Sequence, residues 1–251
     1  MNMRSLGLTQ LAAGAALAAT LASAAAQDHP AVKYAVDVPP SADLTYAIKA
    51  AQKGITLSGE AQVTWRSGAG KYSVASTTRA QLLGKILDNR SEGAIDAYGL
   101  APAQFNEKRF RKDPTSATFD RAAKSLSFNS GKKVYPLAGG EQDRASVQWQ
   151  LAAVARAAPE KLVPGAELRF FVAGRKDAEA WSFKVLKREK VATPMGEMES
   201  VHFVKAPPLD DKGQKLDIWL APAREYFPVK LRFEDDEGEY VDQVVTSITA
   251  K

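Results

Sequence analysis

The sequence predicts a mainly β fold: a long curved antiparallel sheet, or a partly open β-barrel, with a single central helix at about residues 143–158 packed on its concave side. Three observations carry this. Apolar and polar residues alternate with a period of two through most of the chain, as in strands with one face on a core and one in water. One such run, Ile55 to Trp65, spans about 11 residues and roughly 36 Å, a length suited to curved sheets and barrels. Only Gly139–Pro159 shows helical spacing, with Val147, Leu151, Val154 and Ala158 on one stripe.

Residues 27–42, with Pro30, Pro39 and Pro40, read as an extended, partly mobile leader. Residues 43–251 then form a single β-rich domain, in which strand blocks 43–138 and 164–250 flank the helix. In the first block Leu44, Tyr46 and Ile48 alternate with polar neighbours, as do Ala61, Val63 and Trp65, and Tyr72, Val74 and Ser76. Ser67-Gly68-Ala69-Gly70 is a turn. Leu82–Leu87 fits a helical turn or a strand. Arg90–Tyr98 and Gln104–Arg111 read as strands separated by a Gly99-Leu100-Ala101-Pro102 turn, and Ala117–Asp120 with Ser125–Asn129 as a hairpin.

Gly139-Gly140 breaks the preceding strand and Pro159 stops the helix. Asp143 is the expected N-cap, accepting from the free amides of Ala145 and Ser146. Arg156 suits the negative end of the dipole. Val147, Leu151 and Val154 should face strands. The opposite face, with Trp149, Ala152 and Ala153, is apolar as well, so Trp149 either fills a core gap or lines a cavity. In the second block Trp181, Phe183 and Val185 alternate until Leu186 breaks register, as at a bulge. Leu216, Ile218 and Leu220, then Phe227, Val229, Leu231 and Phe233, precede a closing strand, Tyr240–Thr249. Trp219 shares the Asp217 face and is either semi-exposed or part of a second buried surface. The echo of Leu100-Ala101-Pro102-Ala103 in Leu220-Ala221-Pro222-Ala223 leaves a duplication open.

The first 26 residues have the form of an export signal: Arg4, an Ala/Leu-rich run from Leu6 to Leu21, and Ala24-Ala25-Ala26 before a cleavage point. The run is too poor in bulky residues for an anchor, and no other stretch approaches a membrane span. A periplasmic protein, soluble after cleavage near Ala26, is therefore expected. Taking 26 residues from 251 leaves 225, enough for a substantial core. There is no cysteine, hence no disulfide, thiolate nucleophile or thiolate metal site. Without Arg4 the net charge falls from +5 to +4, a mild bias toward anionic partners and not a nucleic-acid signature.

The run from Tyr46 to Trp65, the Gly99-Leu100-Ala101-Pro102 segment before Phe105, Gln142-Asp143 opening the helix, and Ile218-Trp219-Leu220 followed by Pro228-Val229 together resemble an uncharacterised family of exported bacterial proteins, domain-of-unknown-function family 3108. The resemblance covers most of the mature chain. It implies an envelope-located, mainly β fold with no established activity, so it assigns no functional residues.

The residues themselves point to no catalytic machinery. There are two histidines, His29 in the leader and His202 in a strand, neither with a second His or Cys at metal-ligand spacing. No G-x-S-x-G, H-E-x-x-H or P-loop occurs. The carboxylate clusters, Asp210-Asp211 and Glu234–Glu239, fit solubilising turns. No catalytic, cofactor or metal residue is assigned. Basic groups at Lys108-Arg109-Arg111-Lys112, Lys132-Lys133, Arg175-Lys176 and Lys184-Lys187-Arg188-Lys190 could receive phosphates or carboxylates if several converge. Trp149, Trp219 and Arg144 are the candidate ligand contacts. The expected function is non-catalytic binding or carriage of a lipid-like or other envelope ligand. The alternatives are a structural or protein-interaction module of the envelope, and an envelope hydrolase using His202 or a carboxylate pair. Partners expected are an envelope lipid, glycan or protein.

Overall fold

The period-two alternation becomes one continuous sheet. The computed structural model describes residues 29, 31–52, 54–205 and 214–251. The expected signal peptide and the Asp210-Asp211 pair lie outside the described residues. The strands in chain order are β1 (Ala42–Gln52), β2 (Ile55–Gly68), β3 (Lys71–Ala80), β4 (Gly84–Asp96), β5 (Gly99–Arg109), β6 (Thr115–Asp120), β7 (Ser125–Phe128) and β8 (Tyr135–Pro136). After these come β9 (Gln142–Asp143), helix α1 (Val147–Ala157), β10 (Glu167–Ala173), β11 (Ala178–Thr193), β12 (Gly196–Lys205), β13 (Lys215–Ala221), β14 (Phe227–Glu234) and β15 (Tyr240–Ala250).

The 15 strands lie in the order β8-β7-β6-β5-β4-β3-β2-β1-β15-β14-β13-β12-β11-β10-β9. Two meanders thus meet where β1 pairs with β15, Ala42 opposite Ala250 and Ala51 opposite Tyr240. Every pairing is antiparallel except the short one between β9 and β10. The ladder does not close into a barrel. One end strand, β9, instead reaches across to β4 and β5 through side chains: Gln142 Nε2 donates to the Leu100 carbonyl at 2.7 Å, and Ser91 Oγ to Asp143 Oδ2 at 2.5 Å. The result is a curved, partly open barrel with α1 in its concavity.

Several boundaries differ from the sequence reading. Gly99-Leu100-Ala101-Pro102 is strand, with Ala97-Tyr98 as the turn, because a bulge between Glu92 and Gly93 lets the segment stay in register with β4. Leu82–Leu87 divides into a turn, Gln81–Leu83, and the start of β4. The bulge expected at Leu186 is present. The helix is shorter than residues 143–158, starting at Val147, since Gln142 and Asp143 are recruited by Val172 and Ala173 of β10. Residues 34–39 of the expected leader are docked on the sheet and helix. Trp65 Nε1 donates to the Pro39 carbonyl at 3.0 Å, the Asp37 amide to the Ala153 carbonyl at 2.9 Å, and Tyr34, Val36 and Val38 pack on the core.

Gln150 pins the helix to the sheet. Its Oε1 accepts from the Leu100 amide at 2.8 Å and its Nε2 donates to the Tyr98 carbonyl at 2.7 Å. Gly99, at φ 101°, is required there: a Cβ would meet the Gln150 amide at 2.4 Å.

Candidate functional site

Strand direction sorts the inward-facing residues into two ends. On one side of α1, Trp65 stacks on Trp149 with centroids 4.3 Å apart and planes 4° from parallel, while Phe227 meets Trp149 edge-on at 5.9 Å. The docked leader covers this end. Along the same strands, toward the β1–β2 and β3–β4 turns, inward side chains shrink: Trp65, Val63, Ala61 and Gly59 on β2, and Tyr72, Val74, Ser76 and Thr78 on β3. The helix fills the first end and stops short of the second, leaving a cavity of about 550 Å³. That lies within the roughly 300–1,000 Å³ of small-molecule sites.

The wall is mostly apolar, built from Ile48, Val63, Val74, Leu216, Ile218, Leu231, Phe233 and Val241, with Ala145, Val147 and Gln148 at the helix entrance as its floor. Tyr46 also lines it, but its hydroxyl is committed, donating to the Pro228 carbonyl at 2.8 Å, and burial pushes its ionisation far up. The mouth is charged. Arg79, Arg109, Arg144 and Lys205 line it together with Glu107 and Glu179. Glu107 is buried and accepts from Arg109 Nε at 2.6 Å, with Arg175 Nε at 3.5 Å. Glu179 accepts from Trp181 Nε1 at 2.6 Å, and Lys205 Nζ sits 4.9 Å from the centre of the Trp181 ring. The exposed Arg144 guanidinium lies over Gly174, where a Cβ would come within 3.2 Å of it, and it has no ion-pair partner among the described residues. Cations at the rim of an apolar chamber suit an amphiphile with an anionic end.

The predicted site residues separate. Arg144 is at the mouth. Trp149 is not: it is buried at the closed end, on the far side of α1 from the cavity, and its Nε1 finds no acceptor among the described residues. Trp219 faces the convex side. It stacks on His202 at 4.1 Å, donates to Glu189 Oε1 at 2.9 Å and lies under Lys230, so it belongs to a second buried surface. Asp143 accepts from the Ala145 and Ser146 amides, each at 2.8 Å, as an N-cap would, but it does so from β9 and closes the turn ahead of the helix. Burial pushes its carboxyl up to about 6, against the lowering pull of hydrogen bonds from Ser91, Ser146 and Ala145.

His202 bridges two carboxylates, with Nε2 2.8 Å from Asp217 Oδ1 and Nδ1 3.0 Å from Glu189 Oε1. Burial raises Asp217, but its contacts to His202 and Lys215 outweigh this and hold its carboxyl below the usual range. The cluster lies on the convex face, away from the cavity. Among the described residues no group of three or more His, Cys, Asp or Glu is placed to hold a metal ion. No helix among them is long and apolar enough to cross a membrane. The basic groups singled out in the sequence do partly converge, since Arg109 and Arg175 meet at Glu107. Arg79, Glu107, Trp181 and Lys205 were not chosen as site residues from the sequence. The shrinking inward side chains of β2 and β3 were the signal available.

A family model described as "Protein of unknown function (DUF3108)" matches residues 43–245. No curated protein matches the chain. Among solved structures, the chain is similar to a β-barrel-like protein of the domain of unknown function DUF1849 from Brucella abortus, at 12% identity and a TM-score of 0.57, covering 86% of this chain and 100% of that one. It also matches an exported protein with a YmcC-like fold from Bacteroides fragilis at 13% identity and a TM-score of 0.33, covering 87% and 100%. A hypothetical protein from Chlamydia trachomatis matches at 8% identity and a TM-score of 0.34, covering 85% and 89%. The first likeness shows the barrel-like fold; the other two carry no argument.

Proposed function

This chain belongs to the DUF3108 family, whose function is unknown, and we propose that it is an exported, non-catalytic carrier of a lipid-like ligand of the cell envelope. One observation carries the reading: a chamber of about 550 Å³ with an apolar wall opens at a mouth lined by Arg79, Arg109, Arg144 and Lys205. The apolar part of a ligand would lie along β1, β2, β3, β13 and β14. An anionic end would meet the arginines. Arg144 is the best placed of these, being exposed and without an ion-pair partner among the described residues. Ser76, Thr78, Asn89, Gln148 and Gln243 add polar groups to the lining, and recognition would rest mainly on apolar area and on the charged end. His202, with both ring nitrogens beside carboxylates on the opposite face, has no part in it.

The test is native mass spectrometry of the protein purified with its envelope lipids, compared with Ser76→Trp, which places an indole in the chamber opposite Val63. The reading expects an amphiphile-sized adduct on the wild type that the variant lacks. An adduct-free wild type, or equal adducts on both, would defeat it.

A further inference from the structure

The rim of the chamber carries a second feature. Large apolar side chains stand in water at the same end of the sheet: Ile55 at 61% exposure, Leu82 at 88%, Leu83 at 54% and Phe110 at 41%. The turns that carry them are neighbours. Gln81 donates its amide to the Ser58 carbonyl at 3.0 Å, tying the β3–β4 turn to β2, and Phe110 donates its amide to Ile86 at 2.8 Å, tying the β5–β6 turn to β4. Solvated leucines at a turn cost solubility and contribute nothing to the core, so a cluster of them marks a contact surface.

The charge around them names the partner. Residues 79–88 and 107–113 hold six cations, Arg79, Lys85, Lys108, Arg109, Arg111 and Lys112, against three carboxylates, Asp88, Glu107 and Asp113, with Lys85 paired to Asp88 and Arg109 to Glu107. Arg111 lies over the Phe110 ring at 4.8 Å, and Lys108 Nζ donates to the Lys112 carbonyl at 2.5 Å, so the cations frame the apolar tips. The acidic β14–β15 turn, Asp235 to Glu239, lies at the same end but on the other side of β1 and β2 from these cations. Apolar tips within a basic collar match an interfacial membrane contact. Ile86 and Leu87, next along the chain from the tip, line the cavity, so the surface runs into the mouth.

We propose that this rim docks the protein on an anionic lipid bilayer, with Leu82, Leu83, Ile55 and Phe110 entering the headgroup boundary and the Lys85, Lys108, Arg111 and Lys112 collar facing the phosphates. Docking goes beyond the carrier reading and does not require a ligand in the chamber.

The experiment is co-flotation of the mature protein with phosphatidylcholine vesicles, with and without a quarter phosphatidylglycerol. The protein floats with the anionic vesicles, at least about tenfold more weakly with the neutral ones, and is released as salt is raised. Leu82→Asp/Leu83→Asp loses flotation, while Val163→Asp, an exposed residue at the opposite end, keeps it. Circular dichroism establishes that both variants fold. Wild type that ignores anionic vesicles, or a Leu82/Leu83 variant that floats like wild type, overturns the proposal. So does a variant that only changes the protein's oligomeric size, since the surface would then serve a second copy of the chain. Ser76→Trp separates the two ideas: flotation without acyl binding sinks the carrier reading alone, and acyl binding without flotation sinks docking alone.

Discussion

The two ends of the concavity are built from the same strands with the same alternation, yet one is packed and the other hollow. At the closed end Trp65 and Phe227 pack on Trp149, Tyr72 packs on Trp65 in turn, and the leader seals them. At the open end the inward positions of β2 and β3 hold Gly59, Ser76, Thr78 and Ala80, and no helix among the described residues reaches them. Side-chain volume along a strand, and not the pattern of polarity, decides which end becomes core and which becomes chamber. The helix marks the boundary, its first turn forming the chamber floor.

If this division is right, substitutions at the closed end lower stability and those at the open end lower binding. The largest effect falls at the centre of the packed end. Trp149→Ala removes the stack with Trp65 and the edge contact with Phe227, and should destabilise by about 3–5 kcal/mol, read from urea unfolding. A cost below about 1 kcal/mol would show that the end is not packed as described.

Next comes the boundary itself. Asp143 is pushed up to about 6 from an unfolded value of 3.8. Between those values the native state holds more protons than the unfolded one, so this group's contribution to stability falls as pH rises from about 4 to about 6 and is flat above. Asp143→Asn keeps an acceptor for Ala145 and Ser146 and should remove that slope, on the order of 2–3 kcal/mol across the window. Depressed carboxylates such as Asp217 act oppositely, their contribution being lost as pH falls below the normal carboxylate range. The comparison is therefore made between variant and wild type at each pH. Unchanged slopes would place the Asp143 carboxyl in water.

Gln150→Ala strands the Leu100 amide and the Tyr98 carbonyl and should cost about 1–3 kcal/mol by the same unfolding assay, more than Gln148→Ala on the chamber side of the helix. The smallest effect on stability belongs to the mouth. Arg144→Glu should leave unfolding within about 0.5 kcal/mol of wild type, because the side chain is exposed and without an ion pair among the described residues. It should weaken retention of an anionic amphiphile while sparing a neutral one of equal length, as competition against a fluorescent acyl probe would report.

Fold class was legible because alternation and helical spacing are local: β2 could be read from Ala61, Val63 and Trp65 without knowing what they face. The side-chain contacts across the open barrel were not, since they depend on Gln142 reaching Leu100 and on Ser91 reaching Asp143, contacts set by curvature across the whole sheet. The helix start was misplaced by the same kind of influence, β10 drawing Gln142-Asp143 into a parallel pair. In the site, Arg144 was chosen and stands at the mouth. Trp149 and Trp219 were chosen for size and aromaticity, which cannot tell a chamber wall from a packed stack or a convex cluster. The chamber was written instead in the decline from Trp65 to Gly59 and from Tyr72 to Ser76, a pattern of volume that a polarity reading passes over.

The central claim is that the hollow end takes up an acyl chain. Titrating a dansyl-labelled undecanoate into wild type and Ser76→Trp tests it most directly, with urea unfolding run on both. The account predicts saturable, blue-shifted emission from the wild type and its loss in a variant that unfolds at the same urea concentration. Equal emission from the two folded proteins would contradict it.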